Sequence, residues 1–120
     1  MARVPGGPRK ARRRSKVLDR AKGYYGSRGR LFRTARETVE RGLKYAYRDR
    51  RRRKRDLRRL WIVRINAAAR ANGLQYGRFV HGLKLANVAL DRKVLADMAV
   101  KQPQAFSAVC QTARAALGES

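Results

Sequence analysis

Apolar residues recur along this chain at three- and four-residue intervals, the spacing that places them on one face of a helix. Leu57, Leu60, Trp61, Ile65, Ala68 and Ala69 form one broad stripe; Tyr76, Phe79, Val80 and Leu83 form a second. Val94, Leu95 and Met98 form a third, and Phe106, Val109, Cys110, Ala113 and Leu117 a fourth. A narrower stripe of Phe32, Ala35, Val39, Leu43 and Ala46 is enough for a helix-on-helix contact but not for a core. No strand alternation, tandem repeat or coiled-coil heptad is present. The pattern predicts an all-α protein in which four amphipathic helices across residues 57–118 enclose a small core of Trp61, Ile65, Phe79, Leu83, Leu95, Met98, Phe106 and Val109.

Punctuation residues place the ends of these helices. Ser15 is read as the N-cap of a short helix through Lys22, with Gly23 as its left-handed stop and Gly23–Gly29 as a turn. From Arg30 to Asn72 there is no proline and only Gly42. One long helix, or two joined by a bend, is expected there, about 60 Å if straight. Asn72-Gly73 ends it. A helix over about residues 75–86 follows. Asp91 then caps the next one, with Leu90 and Leu95 at hydrophobic-staple positions, and Pro103 opens the last. Residues 1–14 have too little apolar surface to offset the entropy of ordering and are expected to be extended and disordered when free. The domain reading is a basic extension over residues 1–56 (tail, short helix, long helix) and a small helical globular domain over 57–120.

Charge changes the picture from fold to partner. The 120 residues carry a formal net charge of +24, and 25 of the 32 Lys and Arg precede Ile65. Such asymmetry marks the first half as a polyanion-facing arm on an ordinary helical fold. From Arg48 to Arg59 nine Arg or Lys stand against Asp49 and Asp56. Pairs such as Arg48/Arg52 and Arg55/Arg59 lie one helical turn apart and repel, so the run needs an external polyanion to hold its shape. Asp49 and Asp56 are read as internal partners that relieve this repulsion.

The candidate RNA-binding residues follow from that density. In the tail and short helix they are Arg3, Arg9, Lys10, Arg12, Arg13, Arg14, Lys16 and Lys22, and in the turn Tyr24, Tyr25, Arg28 and Arg30. Along the long helix they are Arg33, Arg36, Lys44, Tyr47, Arg48, Arg50, Arg51, Arg52, Arg53, Lys54, Arg55, Arg58, Arg59 and Arg64, joined by His81 and Lys84 beyond it. Tyr24 and Tyr25 either offer ring faces to unstacked bases or pack on a neighbouring helix; both readings stand. His81 is either a partly buried structural residue or an RNA-facing one.

Site chemistry of other kinds is missing. His81 has no carboxylate or nucleophile within a turn, the Gly23–Gly29 segment lacks a P-loop ending, and Cys110 falls on an apolar stripe where packing explains it. No enzyme activity, metal site, cofactor or small-molecule substrate is expected. No apolar run is long enough for a membrane span, so no membrane partner is expected either. RNA is favoured over DNA because no helix-turn-helix reading face or dimer seam is present. The alternative is a DNA-compacting, chromatin-like basic protein, which would bind duplex DNA as well as RNA.

Several long runs bear a family resemblance. Tyr45-Ala46-Tyr47-Arg48-Asp49-Arg50-Arg51, Arg58-Arg59-Leu60-Trp61-Ile62, Arg64-Ile65-Asn66-Ala67-Ala68-Ala69-Arg70 and His81-Gly82-Leu83-Lys84, with Asp91-Arg92-Lys93-Val94-Leu95-Ala96, resemble the family of protein twenty of the bacterial large ribosomal subunit. Met1-Ala2-Arg3-Val4 and Ala21-Lys22-Gly23-Tyr24 match as well, whereas Pro5-Gly6-Gly7-Pro8 and the last four residues depart from the pattern. The resemblance implies a long helical extension buried in 23S-type large-subunit ribosomal RNA and a small globular domain. It also implies a role early in subunit assembly, neighbouring large-subunit proteins as partners and, in some members, repression of their own messenger RNA. An untargeted start and an Arg-rich composition favour a bacterial cytoplasm over an organelle as the site of that ribosome.

Overall fold

The computed structural model describes Arg3 and residues 8–119 of the chain. Among them are five α-helices and no strand: α1 Arg9–Arg20, α2 Phe32–Ala71, α3 Tyr76–Leu85, α4 Arg92–Lys101 and α5 Pro103–Ala116, with a single 3-10 turn at Gly26–Arg28. The architecture is all-α, as the periodicity predicts. By internal contacts the chain divides into two compact units, Met1–Arg51 and Arg52–Ser120, and the division falls inside α2.

In the first unit α1 starts earlier than expected. Arg9–Arg14 are helical, and Ser15 lies inside the helix while Pro8, at φ −72°, holds the N-cap position. The Arg, Lys and Ala residues there are all strong helix formers, and their propensity outweighs the lack of apolar surface that argued for an extended tail. The expectation of disorder for residues 1–2 and 4–7 lies outside the described residues. Gly23 stops α1 in the left-handed region at φ +91°. The contact between α1 and α2 is small: Ala21, Ala35 and Val39 are buried, with Leu18 packed on them. Leu43 is 52% exposed, so the stripe ends at Val39. Helix α2 runs through Gly42 without interruption, which settles the choice between one helix and two.

The second unit holds the core. Ile65 and Ala69 from α2, Leu74, Phe79 and Leu83 around α3, Leu95 and Ala96 from α4, and Phe106, Cys110 and Ala113 from α5 are all buried together. Phe79 and Phe106 centre it, their rings 5.3 Å apart at a tilt of 36°. Trp61, Met98 and Val109, expected inside, are half-buried against its edge. Three expectations are corrected. Leu57 and Leu60 are 40% and 42% exposed, because no described residue of α3–α5 covers them, and Val94 is 44% exposed while Ala96 takes its place inside.

The connections carry the predicted stop signals. At the end of α2, Gly73 sits at φ +79°, its N–H donates to Arg70 O, and Leu74 N–H reaches back to Ala69 O at 2.9 Å. This is a Schellman closure, and its apolar contact between Leu74 and Ala69 is part of the core. Asn87, at φ +55°, closes α3 in the same way through Val88 N–H to Leu83 O. Asp91 caps α4 by accepting from Val94 N–H at 2.8 Å, and Pro103 stands in the first turn of α5.

Candidate nucleic-acid interface

Every candidate residue named from the sequence is exposed, from Arg3 through Lys84. Arg92 and Arg114, which the candidate set leaves out, are the two basic residues the fold half-buries. Arg92 Nε donates to Tyr76 Oη at 2.8 Å, and Arg114 donates to the backbone carbonyl of Asn72 at the end of α2. Arg78 pairs with Glu119 and Lys101 with Asp97. Of the cations beyond α2, Arg92 and Arg114 thus serve the fold, while Arg78 and Lys101 are held in exposed ion pairs.

On α1 and α2 the situation is reversed. Among the described residues the ion pairs there are Lys22–Asp19, Arg36–Glu40 and Arg48–Asp49, all exposed and hence worth little. None of the cations from Arg50 to Arg59 meets a carboxylate, and Asp56 forms no ion pair, so only Asp49 relieves the repulsion as expected. What the run offers instead is stacking. Arg48 lies over the Tyr45 ring at 4.7 Å and Arg51 over the Tyr47 ring at 4.9 Å, with Arg51 also donating to the Tyr47 hydroxyl at 3.0 Å. These contacts seat two guanidinium groups over tyrosine rings on α2; Arg48 also donates to Asp49, while Arg51 meets no carboxylate and has N–H groups left for phosphate.

Tyr24 and Tyr25 divide between the two readings of the sequence. Tyr25 is 94% exposed, a bare ring, whereas the Tyr24 hydroxyl comes over Gly42 of α2. The turn that presents them is held shut at Gly29, where any side chain would meet the Tyr24 carbonyl at 2.8 Å. His81 is exposed beside Lys84 on α3, which removes the buried structural reading.

Candidates line four cavities, one of them a space of about 380 Å³ beside Phe32, Arg33, Arg36, Glu37 and Glu40. Tyr24 and Arg28 share another of about 390 Å³ with Glu37, Arg41 and Tyr45. Arg13, Lys16 and Arg36 surround a third of about 450 Å³ whose floor is Val17, Phe32, Val39 and Leu43. Arg14 lies over the Phe32 ring at 5.4 Å. Arg64 lines a fourth of about 580 Å³ with Trp61, Asp91 and Lys93. Arg20 and Arg41 are exposed cavity-lining cations that the sequence reading passed over. The signal for Arg20 was its place at the end of Arg13, Lys16 and Arg20, one face of α1. Among the described residues no cluster could hold a metal ion, and no helix is long and apolar enough to cross a membrane.

A family profile described as ribosomal protein L20 matches residues 3–109 of the chain. The large ribosomal subunit protein bL20 of Roseiflexus sp. (strain RS-1) is 62% identical over 117 residues, covering 98% of this chain and 100% of the relative. The protein of the same name from Pelobacter propionicus is 60% identical over 117 residues, with the same coverage. That from Citrifermentans bemidjiense is 59% identical over 115 residues, 96% of this chain and 98% of the relative.

Proposed function

This chain belongs to the ribosomal protein L20 family, a family of structural proteins and not of enzymes, and from that premise we propose that it is a component of the large subunit of a bacterial ribosome that binds 23S-type ribosomal RNA directly. The observation that carries this reading is the cationic run Arg50–Arg59, exposed on α2 with no ion pair between its cations and a carboxylate among the described residues. Phosphates supply the missing counter-charge. The helix lies where RNA helices crowd together and offsets their repulsion, so the protein acts as a counterion of defined shape. The small helical unit, with Arg64, His81 and Lys84 exposed, docks at one RNA junction. Membership of the family, together with this neutralising role where RNA helices compact, supports a part early in subunit assembly beside neighbouring large-subunit proteins. Charge and shape recognition do not distinguish ribosomal RNA from a messenger RNA folded alike, so the chain's own message is a second target wherever it carries such a fold, as the family resemblance implies for some members.

The test is binding of the purified chain to transcribed large-subunit ribosomal RNA at about 0.3 M salt, where purely electrostatic binding weakens, with transfer RNA and duplex DNA as competitors. Saturable binding that survives both, with protection of one localised RNA region, is expected. Competition by duplex DNA would overturn the reading in favour of DNA compaction. A chain lacking residues 1–44 is expected to keep its folded second unit and to bind the same region more weakly.

A further inference from the structure

The cavity beside the Gly23–Gly29 turn differs from those of Arg20 and Arg64 in its carboxylate, Glu37, which also borders the space beside Arg33 and Arg36. Glu40, on the Arg20 cavity, is held by Arg36; on the Arg64 cavity, Asp91 accepts from Val94 N–H and Asp97 pairs with Lys101. Glu37 enters no ion pair or side-chain hydrogen bond among the described residues, although Arg33 and Arg41 stand one turn away on the same helix. A free carboxylate on the basic extension weakens phosphate binding unless it accepts hydrogen bonds from the same partner. Around it the cavity supplies two aromatic rings, Tyr24 and Tyr45, and two guanidinium groups, Arg28 and Arg41. Arg48 covers one face of Tyr45 and does not line the cavity, which leaves the ring's other side to it. At about 390 Å³ the space falls in the ~300–1,000 Å³ range of small-ligand sites.

We propose that this cavity holds a guanine nucleotide extruded from the RNA, with Glu37 accepting from its Watson–Crick edge, Tyr45 stacking on the base and Arg28 and Arg41 on the flanking phosphates. The inference rests on the RNA-binding reading above and names what one part of that surface recognises. An ionised carboxylate only accepts, and it does so through two oxygens side by side. Guanine alone presents two adjacent donors, N1–H and the N2 amino group, on that edge. Adenine, cytosine and uracil each place an acceptor beside a donor, so one carboxylate oxygen would face a lone pair. Splayed-out bases read on this edge and stacked on aromatic side chains are the usual means of sequence choice in RNA.

Four hairpin RNAs, identical except for one bulged nucleotide that is G, A, C or U, are titrated with the full-length chain beside the ribosomal RNA transcript. The bulged-G hairpin is expected to bind about ten-fold more tightly than the others, the discrimination of one bidentate contact. Glu37→Gln, which keeps helix propensity but turns one acceptor into a donor, is expected to abolish the preference and leave the salt slope unchanged. Tyr45→Leu is expected to bring the bulged-G hairpin down to the level of the other three. Equal affinity for all four hairpins, or a preference for another base, while localised ribosomal RNA binding survives, overturns the guanine site and leaves the RNA reading standing. A G preference that Glu37→Gln does not alter also overturns it. Loss of localised ribosomal RNA binding in the wild-type chain overturns both.

Discussion

Gly82 of α3 lies directly on the backbone of Ala113 in α5: a Cβ at position 82 would come within 2.5 Å of the Ala113 carbonyl oxygen and 3.0 Å of its Cα. Both residues are buried, so the clash falls inside the core rather than at the surface. Gly82→Ala is therefore expected to push α3 and α5 apart at the Phe79–Phe106 contact, at a cost of about 1–3 kcal/mol. In a unit of this size that corresponds to a fall in Tm of roughly 4–8 °C per kcal/mol, readable by circular dichroism. An unchanged Tm would mean that the crossing is looser than the backbone positions indicate.

Gly42 is the contrasting case. It stands inside α2, and a Cβ there would meet only the Tyr24 hydroxyl at 3.5 Å, an ordinary contact. Glycine in a helix interior costs about 0.8–1.0 kcal/mol relative to alanine. Gly42→Ala is expected to raise the helix content and thermal stability of α2, measured by far-ultraviolet circular dichroism on the free chain. A loss of helicity would show that the Tyr24 turn needs the bare backbone.

These two glycines mark where sequence reasoning reaches and where it stops. Helix period, Asn72-Gly73, Asp91 and Pro103 are local signals, and they placed α2 to α5 closely. The core members Ile65, Phe79, Leu83, Leu95 and Phe106 were legible because large apolar residues at helical spacing have few other uses. Leu57 and Leu60 continue the same stripe beyond the reach of α3–α5, and no local pattern reports where the partner helices run out. The approach of Gly82 to Ala113 depends on residues 31 positions apart and leaves no trace in either neighbourhood. On the surface the charge density identified the cationic face. The gathering of Tyr24, Glu37 and Tyr45 around one cavity required the turn and α2 to be seen together.

Arg114, outside the candidate set, donates its guanidinium to the Asn72 carbonyl and closes the end of α2 against α5. Arg114→Met keeps the stem and removes the donors, leaving a half-buried carbonyl unpaired. A loss of about 1–3 kcal/mol in urea unfolding is expected, with no change in the salt dependence of RNA binding once the protein is folded. A reduced salt slope would instead place Arg114 on phosphate.

Burial pushes the Cys110 thiol up from 9.0 to about 11, with Arg114 pulling it partly back. Unfolded, the thiol ionises near 9; folded, it keeps its proton to about 11. Below pH 9 both states are protonated and the contribution to stability is complete. Between 9 and 11 the unfolded chain releases its proton first, so the contribution falls as pH rises. The stability difference between wild type and Cys110→Ala is expected to narrow by about 1–2 kcal/mol from pH 8 to pH 10.5, since other groups titrate alike in both. The same burial predicts that the thiol reacts with a thiol reagent at pH 8 only at the rate of unfolding.

Arg50, Arg51, Arg58 and Arg59 are exposed and touch nothing that the fold needs, apart from the Arg51 stacking on Tyr47. If they act as counterions to RNA, changing all four to Gln removes about four phosphate contacts. The slope of log K against log salt is then expected to lessen by about 3–4, with affinity reduced at every salt concentration. Relief of like-charge repulsion along α2 is expected to raise the helix content of the free chain at the same time. These two effects have opposite signs on stability and on binding, and no structural role produces both. A folded but equally tight-binding quadruple variant would show that the RNA is held elsewhere; an unfolded one would show that these arginines belong to the fold.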